Sequence, residues 1–73
     1  MAKLNERIKL LRLERNVFQK DVAESCDIAL RSFKYYESGE RIPDANTLIA
    51  LADYFDVSLD YLTGRSDNPE INK

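Results

Sequence analysis

Seventy-three residues with 44% hydrophobic content, two prolines and two glycines describe one small domain; at this size about 60% of the unfolded chain's surface is buried, so every helix must share one core and no enclosed substrate cavity is expected. The absence of histidine and the single cysteine remove Ser/His and Cys/His catalysis, His-rich metal sites and an internal disulfide. The net charge of −2 hides an asymmetry: residues 1–38 hold eight Lys and Arg against six Asp and Glu, and residues 39–73 hold three against seven. A basic half backed by an acidic one can still offer phosphate a positive face. Nothing resembles a signal peptide and no apolar run approaches the roughly 20 residues that span a bilayer. The expectation is a cytoplasmic protein with no membrane partner.

In chain order, Asn5 to Arg15 reads as the first helix, with Leu4, Ile8 and Leu11 on one buried stripe and Glu6, Lys9 and Glu14 solvated. Leu10 and Leu13 lie off that stripe and read as a widened core face, with a contact patch as the other reading. Asn16 stands where a left-handed residue closes a helix. Gln19 to Cys26 is the second helix, its face of Val22, Ala23 and Cys26 opposed to Lys20, Asp21 and Glu24. Cys26 reads as a small buried core residue. Asp27 tolerates the left-handed turn that follows. Leu30 to Ser38 is the third helix, closed by Gly39, with Phe33 and Tyr36 inward and Leu30, Arg31, Lys34 and Tyr35 outward.

Glu40 to Pro43 forms a polar loop in which Ile42 is extended by the following proline. Asp44 caps a fourth helix from Ala45 to about Phe55, whose Leu48, Leu51, Ala52 and Phe55 make the cleanest core stripe of the chain. Asp56 closes it. Ser58 caps a short fifth helix ending near Gly64. Residues 65–73 are polar, with only Ile71 to bury, and read as a flexible tail behind a domain of residues 1–64. The fold class is all-α: five helices, with no strand-like alternation and no internal repeat.

The string R-I-K-x-L-R at 7–12, Gln19, V-A at 22 and 23, Y-E-x-G at 36–39, Pro43 and V-S-L-D-Y-L-x-G at 57–64 resembles the phage repressor and Cro-like helix-turn-helix family, also called the xenobiotic-response-element family. The match covers about residues 4–64. The resemblance implies a compact repressor-like DNA-binding domain in which Leu30 to Ser38 lies in the major groove of double-stranded DNA. It places Leu30, Arg31 and Tyr35 toward base edges with Lys34 beside them, Gln19 on a phosphate while bracing the recognition helix, and Arg41 along the backbone. It implies an Arg12–Glu37 ion pair joining the first and third helices. It also implies a homodimer on a pseudo-palindromic operator, joined around Leu59, Tyr61 and Leu62, with plain core as the other reading of those three residues. No cofactor, metal or small-molecule substrate is implied.

The chemistry of these side chains agrees with such roles. Arg31 has the fork that pairs with guanine O6 and N7, Leu30 can meet only a thymine methyl or another apolar edge, and Lys34 suits phosphate. The sequence departs from the family at Phe18 and Ala29, where a Ser or Thr usually caps the helix that follows, and at Asn16, Asp27 and Asp56, where glycine is usual. Each lost cap costs roughly 1 kcal/mol. Asp27 adds a negative charge near the groove, so a modest and strongly salt-dependent affinity is expected. The leading reading is a sequence-specific transcriptional regulator, expected to repress. The alternative is a protein-interaction module on the same fold, such as an antitoxin or adaptor, with Phe18, Leu30 and Tyr35 as its apolar surface. An enzyme is excluded by the lack of a nucleophile–base pair, a phosphate-cradling loop or a metal cluster.

Overall fold

Among the described residues, five turn left-handed, and each ends a helix. Asn16, Asp27 and Asp56 have φ of 54°, 56° and 56°, and Gly39 and Gly64 have 86° and 82°. After each, the next N–H reaches back past the turn: Val17 to the Arg12 carbonyl at 3.3 Å, Ile28 to Ala23 at 3.0 Å, Glu40 to Tyr35 at 3.0 Å, Val57 to Ala52 at 3.0 Å and Arg65 to Asp60 at 2.8 Å. This is the Schellman closure, which satisfies carbonyls that a helix end would otherwise leave free. Val17, Ile28 and Val57, the residues just beyond three of these turns, pack onto the core, so each stop also aims the chain inward.

The computed structural model describes residues 3–70. Its helices are α1 (Leu4–Glu14), α2 (Gln19–Ser25), α3 (Leu30–Ser38), α4 (Ala45–Phe55) and α5 (Leu59–Leu62), and no strand occurs among the described residues. The expected all-α, five-helix architecture is therefore the one observed. All five helices feed one core. Ile8 and Leu11 come from α1, Val22 and Ala23 from α2, Phe33 from α3, Leu51, Ala52 and Phe55 from α4, Leu62 from α5, and Val57 from the turn before α5. Helix α3 packs on α2 and α1, α5 on α1 and α4, and α2 also touches α4.

Two expectations are corrected here. Leu10 and Leu13 do not widen the core: they remain 46% and 54% exposed. Each lies two residues past a buried position, about 200° round the helix, and the neighbours of α1 cover the other side. Cys26 is half-buried at the core's edge rather than within it, and burial raises its thiol pKa, which disfavours the reactive thiolate. Over its described part, the segment after Gly64 is tied back. The Ser66 N–H donates to the Asp60 carbonyl at 3.1 Å, and the Ser58 N–H donates to the Pro69 carbonyl at 3.0 Å. Ile71 lies outside the described residues.

The helix starts are uneven. Asp44 accepts the Thr47 N–H at 2.8 Å, which holds its carboxyl below the ordinary range, and the Ser58 hydroxyl accepts the Tyr61 N–H at 3.0 Å. Phe18 and Ala29 cap nothing with their side chains. At α2 half of a capping box survives, because the Asp21 carboxylate accepts the Phe18 N–H at 3.0 Å. Helix α3 has no such substitute.

A left-handed aspartate is strained relative to glycine by up to about 1 kcal/mol. Asp56→Gly is therefore expected to raise unfolding stability in urea by about that amount, and Asp56→Ala to lower it by a similar one. Equal stability of the two variants would show that the turn carries no strain.

Candidate nucleic-acid interface

One guanidinium organises the helix pair. Arg12 of α1 donates from Nε to Glu37 Oε2 at 2.8 Å, from Nη2 to Glu37 Oε1 at 2.9 Å and from Nη1 to the Val17 carbonyl at 3.1 Å. Gln19, the first residue of α2, adds a hydrogen bond from Nε2 to Glu37 Oε1 at 3.3 Å. The two charged side chains are only 14% and 6% exposed, and the hydrogen bond to Glu37 raises the Arg12 pKa further. Helix α1, the turn after it, α2 and the end of α3 thus meet at one paired site, which sets the position of α3.

The outward face of α3 is built on that support. Phe33 is fully buried beneath it, while Leu30, Arg31 and Lys34 are exposed. Tyr35 is the residue expected beside Arg31 toward base edges. It is half-buried and sits beneath two guanidinium groups, Arg31 at 5.8 Å and Arg41 at 4.6 Å from its ring centroid, and the Arg31 Nε donates to its hydroxyl at 3.4 Å. The tyrosine therefore gathers Arg41, from the loop after Gly39, to Arg31 on the helix. Gly39 itself lies against α1: a Cβ there would come within 3.2 Å of the Asn5 side chain.

Beside this face lies an open groove of about 640 Å³, lined by Lys9, Arg12, Phe18, Gln19, Lys20, Leu30, Lys34 and Glu37. Lys9 and Lys20 carried no assigned role in the sequence. Two other arginines, Arg7 of α1 and Arg15 just past its end, bond to groups of the fold itself. Arg7 is buried, with its guanidinium 4.0 Å from the Tyr61 ring centroid and Nη2 donating to Asp67 at 3.2 Å. Arg15 donates to the Phe55 carbonyl at 2.7 Å. Among the described residues the ion pairs are Arg7–Asp67 and Arg12–Glu37, so Arg31, Lys34 and Arg41 face solvent with no carboxylate partner there.

The three residues expected at a dimer surface are not brought together. Leu62 is 0% exposed and belongs to the core, because α5 lays this side directly on α1 and α4. Tyr61 is half-buried under Arg7. Only Leu59 remains outside, and it shares a shallow depression of about 330 Å³ with Ile49, also exposed. Ile49 was missed, although its place off the Leu48–Phe55 stripe marks it. No group of residues able to hold a metal occurs among the described residues, and no helix there is long and apolar enough to cross a membrane.

This geometry, a positioning helix braced against a second helix whose polar face is free, defines a helix-turn-helix protein. Residues 5–65 match the model of the Helix-turn-helix domain family, and the chain belongs to it. It is 40% identical over 63 residues to the cryptic phage CTXphi transcriptional repressor RstR of Vibrio cholerae, covering 86% of this chain and 56% of the relative. Among solved structures it superposes on a transcriptional regulator from Listeria innocua with a TM-score of 0.80 and 37% identity, covering 85% of this chain and 58% of that one. It shares its fold with the P22 c2 repressor, solved in complex with a synthetic operator, at a TM-score of 0.84 and 23% identity, covering 90% of this chain and 100% of that one. The chain thus spans just over half the length of the curated relative.

Removing one member of the Arg12–Glu37 pair strands the other in a buried site, at a cost of about 3 to 5 kcal/mol. Glu37→Leu and Arg12→Met are each expected to lower unfolding stability by that amount, whereas the double variant carrying both replacements recovers most of it. Urea titrations of the four proteins close the cycle, and additive losses would show that the two residues are not coupled.

Proposed function

We propose that this chain is a non-enzymatic, sequence-specific DNA-binding transcriptional regulator that lays α3 in the major groove of an operator. The observation that carries the reading is the set of unpaired cations on the outward side of the helix pair, Arg31, Lys34 and Arg41, held by the buried Arg12–Glu37 support. Arg31 reads a guanine edge through its fork, and Lys34 meets phosphate. Tyr35 holds Arg31 and Arg41 at a fixed separation rather than reading a base itself. Gln19 braces Glu37 and turns its remaining polar capacity to a phosphate at the start of α2. The named function of the relatives, repression among phage regulators, supports repression here by occlusion of the promoter.

A homodimer on a pseudo-palindromic site, with half-sites about one helical turn apart, completes the reading. The surface that remains for it after Leu62 and Tyr61 are assigned to the interior is the exposed pair Leu59 and Ile49. The alternative of a protein-interaction module draws on the exposure of Phe18 and Leu30 and is separated from DNA binding by the selection below.

Selection from random duplexes at low salt is expected to enrich a two-fold symmetric sequence; no enrichment would reject the proposal in favour of a protein partner. On the enriched site, Arg31→Ala should lose about 1 to 3 kcal/mol and its preference at one base pair. Lys34→Ala should weaken all duplexes alike and reduce the salt slope by about 1. In sedimentation, Leu59→Asp with Ile49→Asp should shift the chain to monomer and weaken binding to the full site but not to a half-site, and an unchanged association state would place the dimer surface elsewhere.

A further inference from the structure

Two open surfaces of the molecule carry opposite charge and the same kind of apolar content. The groove of about 640 Å³ beside α3 sets the exposed Phe18 and Leu30 among Lys9, Lys20 and Lys34. Its other charges, Arg12 and Glu37, neutralise one another in the buried pair, so the groove is left positive. The depression of about 330 Å³ between α4 and α5 sets the exposed Ile49 and Leu59 beside the exposed Asp53 and Asp60, with no basic residue on its lining. Ile49 and Asp53 fall one helical turn apart on α4, which puts them on one face. The two surfaces share no lining residue. Among the described residues none of these lysines and aspartates belongs to an ion pair. The charge asymmetry of the sequence thus reappears as two separate, complementary sites on one molecule.

We propose that, away from DNA, the chain associates head to tail, the α4–α5 depression of one copy docking on the basic groove of the next. Charge complementarity selects this occupant. Pairing the depression with its own copy by two-fold symmetry sets Asp53 and Asp60 against like charges, whereas the groove offers lysines to the carboxylates and Phe18 and Leu30 to Ile49 and Leu59. Because Leu30 and Lys34 belong to α3, the docked copy covers the face that the DNA-binding reading uses. The inference rests on that reading only for the competitor it names. Phosphates on the lysines displace the docked copy and free Leu59 and Ile49 for the two-fold contact of the operator complex. DNA therefore exchanges one self-contact for the other. A head-to-tail contact leaves a free groove at one end and a free depression at the other, so assembly runs past two copies.

Sedimentation equilibrium of the full chain without DNA, at about 50 and about 500 mM salt, tests the proposal. Weak association past the dimer is expected, with a dissociation constant on the order of 100 µM for so small a contact. The higher salt should weaken it about ten-fold, as screening of a few exposed ion pairs gives. Lys9→Glu with Lys20→Glu should abolish it, and so should Asp53→Lys with Asp60→Lys. Mixing these two variants should restore a one-to-one pairing, because the intact groove of one meets the intact depression of the other. All four positions are exposed, so the variants are expected to fold, which circular dichroism melting checks. A saturating selected duplex should disperse the wild-type assembly. Unchanged association of Lys9→Glu with Lys20→Glu, strengthening by salt, survival in saturating duplex, or a chain that stays monomeric at about 1 mM would each overturn the inference while leaving operator selection untouched. Head-to-tail association by a chain that selects no duplex would uphold the contact and reject the DNA reading alone.

Discussion

The position of α3 depends on the pairing of Arg12 with Glu37. Apolar burial is nondirectional, and Phe33 in a fully buried site fixes that α3 packs inward but not how far it turns about its own axis or slides along it. The fork of Arg12 supplies what is missing. Two parallel N–H donors on both carboxylate oxygens, at 2.8 and 2.9 Å, admit one orientation of the Glu37 side chain. The third contact, to the Val17 carbonyl, ties the same guanidinium to the turn before α2, and Gln19 closes the arrangement from α2. Lysine could supply the charge at position 12 but not the three fixed directions.

The same helix accounts for how a chain of net charge −2 presents a positive face. Arg7 and Arg12 of α1 and Arg15 just past its end are turned to internal work: Arg7 against Tyr61 and Asp67, Arg12 on Glu37, Arg15 on the Phe55 carbonyl. The charge excess of the first half is therefore largely structural. What remains for a polyanion is a smaller set, Lys9, Lys20 and Lys34 along the groove with Arg31 and Arg41 around Tyr35.

The helix ends were legible in the sequence because they are made by single residues. Asn16, Asp27, Gly39 and Asp56 are types that enter the left-handed region, and all four do. The core stripes of α1 and α4 followed from periodicity. Periodicity failed where it had to say which apolar residues find a neighbour: Leu10 and Leu13 are as apolar as Leu11 but face the side that nothing covers, and Leu62 read equally as surface or core until α5 was laid on α1. The Arg12–Glu37 pair could be anticipated only through family resemblance, since 25 residues separate its members. The Tyr35 stack was not foreseeable, because Arg41 reaches the ring through the path of a loop that no helical or strand period describes.

The missing caps acquire a rationale from the distribution of support along α3. Phe33 is buried beneath its middle, and its C-terminal end carries the paired Glu37 and the Gly39 closure against Asn5. Its first turn carries Leu30 and Arg31, both exposed, on an N-cap alanine with no acceptor. A helix anchored at one end tolerates an uncapped start, because the roughly 1 kcal/mol forgone there is small beside the 3 to 5 kcal/mol at stake in the buried pair. The buried ion pair and the exposed, uncapped first turn thus lie at opposite ends of the same nine-residue helix. That separation leaves positions 18, 29, 30 and 31 free to vary in chemistry without displacing the helix, so the departures at Phe18 and Ala29 change what the surface meets while the scaffold beneath it stays fixed.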